Sequence, residues 1–191
     1  KIYKMKPLAV TFSHNWFSET GFYNLQLCLE TFNLDHIQFT PARNLVNKLA
    51  RKSIDVIGDT CWHCHSGVGA FPLQIATKFK IPLLIWGESI AENDGRASYQ
   101  CQNVRFDRDY FTKVSARLSA DEMGVGEITK KDIHPFQLPS YKEIEEVGVW
   151  GIHLGDYLFW DEERQTEFIR DHYGWRETEV EGAYKGYKSA E

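Results

Sequence analysis

The chain has 191 residues, 42% of them hydrophobic and 14% aromatic, with a formal net charge of −5. That is enough apolar material for one cored domain with an added subregion, and the acidic balance, without a basic stripe, excludes an obvious nucleic-acid partner. No apolar run approaches the roughly 20 residues of a membrane span and no secretory signal is visible, so no membrane insertion is expected, and four cysteines, too few for a disulfide framework, point to a reducing, cytoplasmic setting.

The segment from Leu8 to Phe12 is short, apolar and partly β-branched, which predicts a buried strand. After the polar turn Ser13-His14-Asn15, Ser18 is placed to cap a helix whose inner face carries Phe22, Leu25, Leu29 and Phe32 at spacings of three and four. His36 to Phe39 is the next strand. Thr40 and Pro41 read as the cap and first turn of a second helix, with Ala42, Leu45, Val46, Leu49, Ala50, Ile54 and Ile57 facing inward and Gly58 ending it. A Cys/His-rich turn, Cys61-Trp-His-Cys-His65, leads into a third helix with Val68, Phe71, Ile75 and Phe79 on one face. Pro82 to Trp86 is wholly apolar, as a parallel strand covered on both faces would be. From Ala91 to Pro139 the chain is polar and weakly periodic, and reads as loops and short helices. Ser140-Tyr-Lys-Glu143 is a capping box. Asp161-Glu-Glu163 opens a last helix that Gly174 closes. The order strand, helix, strand, helix, helix, strand predicts an α/β fold with a parallel sheet in residues 1–92, and a loop-rich, helical region in residues 93–191 that serves substrate or partner. Lys1 in place of a methionine, and a C-terminus without a stop signal, read as the cut ends of a longer protein.

Ligands of such sheets sit beyond the carboxyl ends of the strands, which here are Ser13-His14-Asn15, Thr40 and Gly87-Glu88-Ser89. Polar tips at Ser13, His14 and Asn15 can read an adenine or a ribose, although a lone loop histidine is more often just solvated. Gly87 after Trp86 lets a ligand approach the backbone, and Glu88 can hold Mg²⁺ on a phosphate, with Glu92 and Asp94 close behind. The alternative is an ordinary strand exit. Gly151-Ile-His-Leu-Gly-Asp156 runs into Tyr157-Leu-Phe-Trp160-Asp161. There His153 and Asp156 are the functional candidates for a sugar ring, whereas Trp160 and Asp161 also fit a core aromatic and a helix cap. Cys61 and Cys64 could chelate one soft metal, zinc or an iron–sulfur cluster, with ligands supplied from elsewhere. They equally fit a reduced pair packed beside Trp62. The remaining cysteines, Cys28 and Cys101, lie in unrelated contexts, and four cysteines are too few for a disulfide framework.

Four stretches together, Lys6-Pro-Leu-Ala-Val-Thr-Phe-Ser-His-Asn-Trp-Phe17, Thr60-Cys-Trp-His-Cys-His-Ser-Gly-Val-Gly-Ala-Phe-Pro-Leu-Gln74, Leu84-Ile-Trp-Gly-Glu-Ser-Ile-Ala-Glu92 and Gly151-Ile-His-Leu-Gly-Asp-Tyr157, resemble the N-acetyl sugar amidotransferases of lipopolysaccharide O-antigen and pseudaminic-acid-type sugar synthesis. The resemblance implies a PP-loop ATP pyrophosphatase with a three-layer Rossmann-like, adenine nucleotide α-hydrolase-like fold. It implies ATP and Mg²⁺ as cofactors, a sugar or nucleotide-sugar substrate, and a separate glutaminase subunit supplying ammonia. A homo-oligomer is compatible with it. An acetamido oxygen would attack the α-phosphate of ATP, and ammonia would displace AMP to leave an acetamidino group. Glu88, His153 and Asp156 are the expected catalytic residues. Ser13, His14, Asn15, Trp86, Gly87 and Glu88 are expected to line the nucleotide, in a pocket where the rims around Asn15 and Gly87 converge. The chain departs from the family in two places. The Ser-Gly-Gly-Lys-Asp-Ser phosphate loop would precede Lys1 and is absent, which implies weak ATP binding and little turnover by this segment. Ser13 stands where relatives commonly carry an acid. Two other readings stay open, a PP-loop tRNA sulfurtransferase and a metal-stabilised interaction module.

Overall fold

The computed structural model describes residues 4–88, 112, 116–179 and 188–189. The expected boundary at residue 92, the acids Glu92 and Asp94, and Cys101 lie outside the described residues. The protein is mixed α/β, and its contacts divide it into two units, one of residues 1–9, 16–37 and 161–191 and one of residues 10–15 and 38–160. Strands β1 (Leu8–Phe12) and β2 (Asp35–Phe39) pair as a two-stranded sheet, and each strand passes from the first unit into the second.

In the first unit, α1 (Glu19–Phe32) starts as expected, with the Ser18 hydroxyl accepting from Gly21 N at 3.0 Å. Its expected inner face is not what it buries. Phe22 and Phe32 are exposed, and the buried residues are Gly21 and Asn24. The reason lies in a polar clasp: Asn24 donates to Arg176 O at 2.9 Å and accepts from Arg176 N at 3.0 Å, while the Arg176 guanidinium lies 3.5 Å from the centre of the Tyr23 ring. Burial of an amide costs little when both its ends are bonded. Helix α7 (Glu162–Tyr173) is capped by Asp161 and ended by left-handed Gly174, as expected. A short antiparallel pair, β5 (Thr178–Glu179) with β6 (Lys188–Ser189), completes what is described there.

The second unit is built around α3 (Trp62–Phe79). This helix is buried along most of its length, as a central helix is. Its faces serve different neighbours. Gly67 and Phe71 meet β1, where Phe12 packs against Phe39, Phe71 and Phe136 with ring centres 5.5–6.5 Å apart. A Cβ on Gly67 would run into the Phe12 ring, so only glycine admits this approach. Trp62 and Ser66 face the segment of short helices: Trp62 Nε1 donates to Leu118 O at 3.0 Å and Ser66 Oγ to Phe136 O at 3.2 Å. These helices are α4 (Ala120–Met123) and α5 (Lys130–Ile133), followed by a 3-10 turn at His134–Phe136. Each α-turn opens with a capping box, so a polar sequence with little periodicity still forms helix where Ser119 and Thr129 hold the first amides. Helix α2 (Arg43–Ile57) starts two residues later than expected, with Ala42 and not Thr40 at the cap and no side-chain bond there. It buries Val46, Leu49, Ala50 and Ser53 and leaves Ile54 exposed. Complete burial of a side chain such as Leu49 contributes about 1.5–3 kcal/mol.

Strand β3 (Leu83–Trp86) pairs in parallel with β4 (Trp150–His153), reached through α6 (Tyr141–Val147), in the register Leu83↔Trp150, Leu84↔Gly151, Ile85↔Ile152, Trp86↔His153. The core under this pair is Leu73, Ala76, Trp86 and Val149, joined by Val68, Leu84, Leu138, Ile144 and Val147. The expectation that β3 is covered on both faces is corrected. Leu83 and Ile85 are 44% and 42% exposed, and Trp150 beside Leu83 is exposed as well. Both α3 and α6 pack on the face of Leu84 and Trp86, which leaves the alternate residues uncovered. The described strands make three separate two-stranded sheets. None of the helices among the described residues is long and apolar enough to cross a membrane.

Candidate active site

The parallel register ends β3 and β4 side by side, so Trp86 and His153 leave the sheet together. Beyond them, Gly155 N donates to Glu88 O at 3.0 Å, tying the two exits at the 3-10 turn Leu154–Asp156. Glu88 thereby shares one strand-end rim with His153 and Asp156, sixty-odd residues further along the sequence. His153 is 4% exposed, stacks on the Trp86 indole with centres 5.6 Å apart and planes 23° apart, and brings Nδ1 to 3.3 Å from Glu88 Oε1. The Glu88 side chain is half-exposed, so one carboxylate edge faces solvent while the other faces the imidazole.

Asp156 is the most unusual group at this rim. It is 5% exposed, and its Oδ2 has no hydrogen-bond partner among the described residues. Burial pushes its carboxyl above the ordinary carboxylate range, while the neighbouring His153 pulls it back down. A desolvated carboxylate with an open lone pair is costly to maintain, which makes it a candidate for proton transfer or for a ligand's N–H.

The turn after β1 is organised differently. Ser13 is 1% exposed, donates its N–H to Phe39 O at 2.8 Å and accepts from Asn15 N on its hydroxyl at 3.3 Å. Asn15 takes the left-handed conformation (φ 66°), which asparagine tolerates better than most residues. Its amide donates to Pro41 O at 3.0 Å and accepts from Arg43 Nη2 at 3.4 Å. The Ser13 hydroxyl and the Asn15 amide are thus engaged in holding the turn. His14 is half-buried, and its backbone lies against the ring of His63.

His63, a neighbour of the cysteines in sequence, is completely buried. Burial holds its pKa below the ordinary histidine value, with the backbone of His14 and of Thr60 acting the other way. Its ring thereby lies where the β1 turn meets the start of α3. The available signal was its place four residues before Gly67 and eight before Phe71, on the helix face that meets β1.

Cys61 is the N-cap of α3 and Cys64 lies one turn on, with Cys64 N donating to Cys61 O at 2.9 Å and Cys61 N to Asp59 Oδ1 at 2.7 Å. Both thiols are half-buried, and Cys61 Sγ lies 3.5 Å from Thr60 Oγ1. Among the described residues no group of three or more His, Cys, Asp or Glu side chains is placed to hold a metal ion. The pair therefore supplies at most two ligands of the four that structural zinc needs.

Both rims touch α3, the β1 turn at its first turn through His63 and the β3 exit one turn further on through Val68. A cavity of about 260 Å³ in this unit is lined by neither. It lies among Ser66, Leu118, Asp121, Phe136, Gln137 and Ser140, and its polar side chains are largely bonded to one another and to the chain, as in Gln137 Nε2 to Asp121 Oδ1 at 3.2 Å. Compared with known proteins, the chain matches no family model and no curated relative.

Proposed function

We propose that the Glu88–His153–Asp156 rim is the reactive centre of an ATP-dependent amidotransferase that converts the acetamido group of a sugar into an acetamidino group. The observation that carries the reading is the convergence, at the ends of two parallel strands, of an open carboxylate, a stacked imidazole and a buried carboxylate with an oxygen that has no partner among the described residues. Such strand ends are where α/β proteins bind nucleotides, and the four sequence stretches quoted above supply the chemical class. The same reading extends the fold to a three-layer Rossmann-like sheet in a cytoplasmic protein served by a glutaminase subunit.

Each residue has a task in this chemistry. The acetamido oxygen attacks the α-phosphorus, the bond to pyrophosphate breaks, and the acetamido N–H loses its proton as the O-adenylyl imidate forms. Asp156, desolvated and more basic than an ordinary carboxylate, accepts that proton. Ammonia then adds to the imidate carbon and AMP leaves with the former acetamido oxygen. His153, held between Trp86 and Glu88, takes the proton that the nitrogen sheds. The exposed edge of Glu88 would hold Mg²⁺, which would neutralise charge on the departing pyrophosphate. At the other rim, Ser13 and Asn15 hold the turn, and His14 with the turn's backbone is assigned to the nucleotide.

The test is AMP and pyrophosphate formation by the native full-length protein with ATP, Mg²⁺, ammonium and a panel of free and nucleotide-linked 2-acetamido sugars. Stoichiometric AMP and amidine are expected with at least one sugar. Glu88→Gln should lower the rate about 10²-fold or more with an unchanged melting temperature, because the side chain is half-exposed. AMP release at the wild-type rate by Glu88→Gln would remove that residue from the centre.

A further inference from the structure

Pro72 sits inside α3, four residues after Val68. In a regular helix the N–H of residue 72 would donate to the carbonyl of residue 68; proline has no N–H, and its ring crowds that carbonyl. The carbonyl is not left to the core. Trp86 Nε1 donates to Val68 O at 3.4 Å, from the last residue of β3. The same indole carries the stacked ring of His153, and Pro72 is itself buried.

We infer that Pro72 is a positioning residue: by withholding a helix N–H it opens the Val68 carbonyl as the acceptor that sets the Trp86 indole, and through that indole it sets the plane and depth of His153. Three observations act together. The proline falls at the one helix position whose N–H would compete for that carbonyl. Trp86 is buried, so its N–H requires an acceptor. The stack places the second ring on the face of the first, so a tilt of Trp86 is passed to His153 and to its 3.3 Å approach to Glu88. Proline is otherwise a poor choice in the middle of an 18-residue helix, and a role at the β3 exit explains why the helix carries it.

This inference rests on the reading of His153 as part of the reactive centre only for its functional meaning; its test needs no turnover. In Pro72→Ala the returned N–H competes for the Val68 carbonyl. The melting temperature should hold or rise, since the helix is repaired. The His153 ring-proton resonances, displaced in the native protein by the ring current of Trp86, should move toward unstacked positions, and the Trp86 indole proton should exchange with solvent on the order of tenfold faster or more. Assignment comes from Trp86→Phe, and in the double variant Pro72→Ala/Trp86→Phe the change at His153 should equal that of Trp86→Phe alone, because both act through one indole. Unmoved His153 resonances in a folded Pro72→Ala, or additive shifts in the double variant, would overturn the inference. Should Pro72→Ala not fold, the native protein still decides: an indole proton of Trp86 exchanging as fast as that of exposed Trp16 overturns it, and a protected one sustains it. If the stack shifts as expected while no sugar is ever adenylated, the positioning holds and the proposed chemistry fails.

Discussion

Two strand-end rims of the same unit treat their polar groups in opposite ways. After β1, Ser13 and Asn15 direct their polar atoms at Phe39, Pro41, Arg43 and each other, and nearby His63 is buried whole. After β3 and β4, Asp156 is buried with an oxygen that nothing described satisfies, and Glu88 keeps one edge in solvent. Position at a strand end is therefore not enough to mark chemistry. What separates the rims is whether the local chain consumes the polar groups it presents. A rim that consumes them holds its elements together, and one that leaves a carboxylate short of partners is a candidate for chemistry.

That contrast can be broken by substitution. The largest effect is expected from Asp156→Asn in the native full-length protein, where turnover should fall about 10²–10⁴-fold while the melting temperature rises. The sign follows from the direction of the shift. The native carboxyl holds its proton to higher pH than the unfolded chain does, so its stabilising contribution is complete at low pH and is lost as pH rises through the native titration. The gain in Asp156→Asn should thus be seen at neutral pH and vanish in acid. A melting temperature that falls at neutral pH would show Asp156 to be an ordinary structural carboxylate. Next in size, Gly67→Ala forces a methyl into the Phe12 ring and should destabilise by about 1–3 kcal/mol in chemical denaturation; a neutral result would show that β1 can retreat from α3. Asn15→Ala removes the clasp on Pro41 and should lower stability by about 1 kcal/mol with a much smaller loss of turnover than Asp156→Asn; the reverse ordering would make the β1 turn the chemical rim. The smallest effect is a slope. His63 is held below its ordinary pKa of 6.5 by burial, so its contribution is present above that value and is lost as pH falls toward the native pKa. His63→Gln should flatten the acid side of the stability profile, and an unchanged profile would assign that slope to other groups.

Much of the architecture was legible because it rests on local chemistry. Ser18, Asp161, Gly58 and Gly174 cap helices as read, and β1 ends where the apolar run does. The reading of burial went astray where tertiary partners decide. Phe22 and Phe32 form a convincing helical stripe, but the Asn24–Arg176 clasp turns a different face inward. The uniform apolarity of Leu83 to Trp86 reads as two covered faces, but α3 and α6 lie on the same side. At the candidate site, the types of Glu88, His153 and Asp156 and their strand-exit context were visible, whereas their union was not, since it depends on the β3–β4 register across sixty-odd intervening residues. Nor could the sequence tell that Ser13 and Asn15 are spent on their own turn, because Pro41 and Arg43 approach only once β1 and β2 are in place.

The central claim is tested most directly by the fate of the acetamido oxygen. With ¹⁸O in the acetamido group of the sugars that the panel identifies, the native full-length protein should deliver the label into the phosphate of AMP, one atom per amidine formed, and Asp156→Asn should deliver almost none. Unlabelled AMP, with the ¹⁸O kept in the sugar or released to water, would contradict an adenylylated intermediate at the Glu88–His153–Asp156 rim.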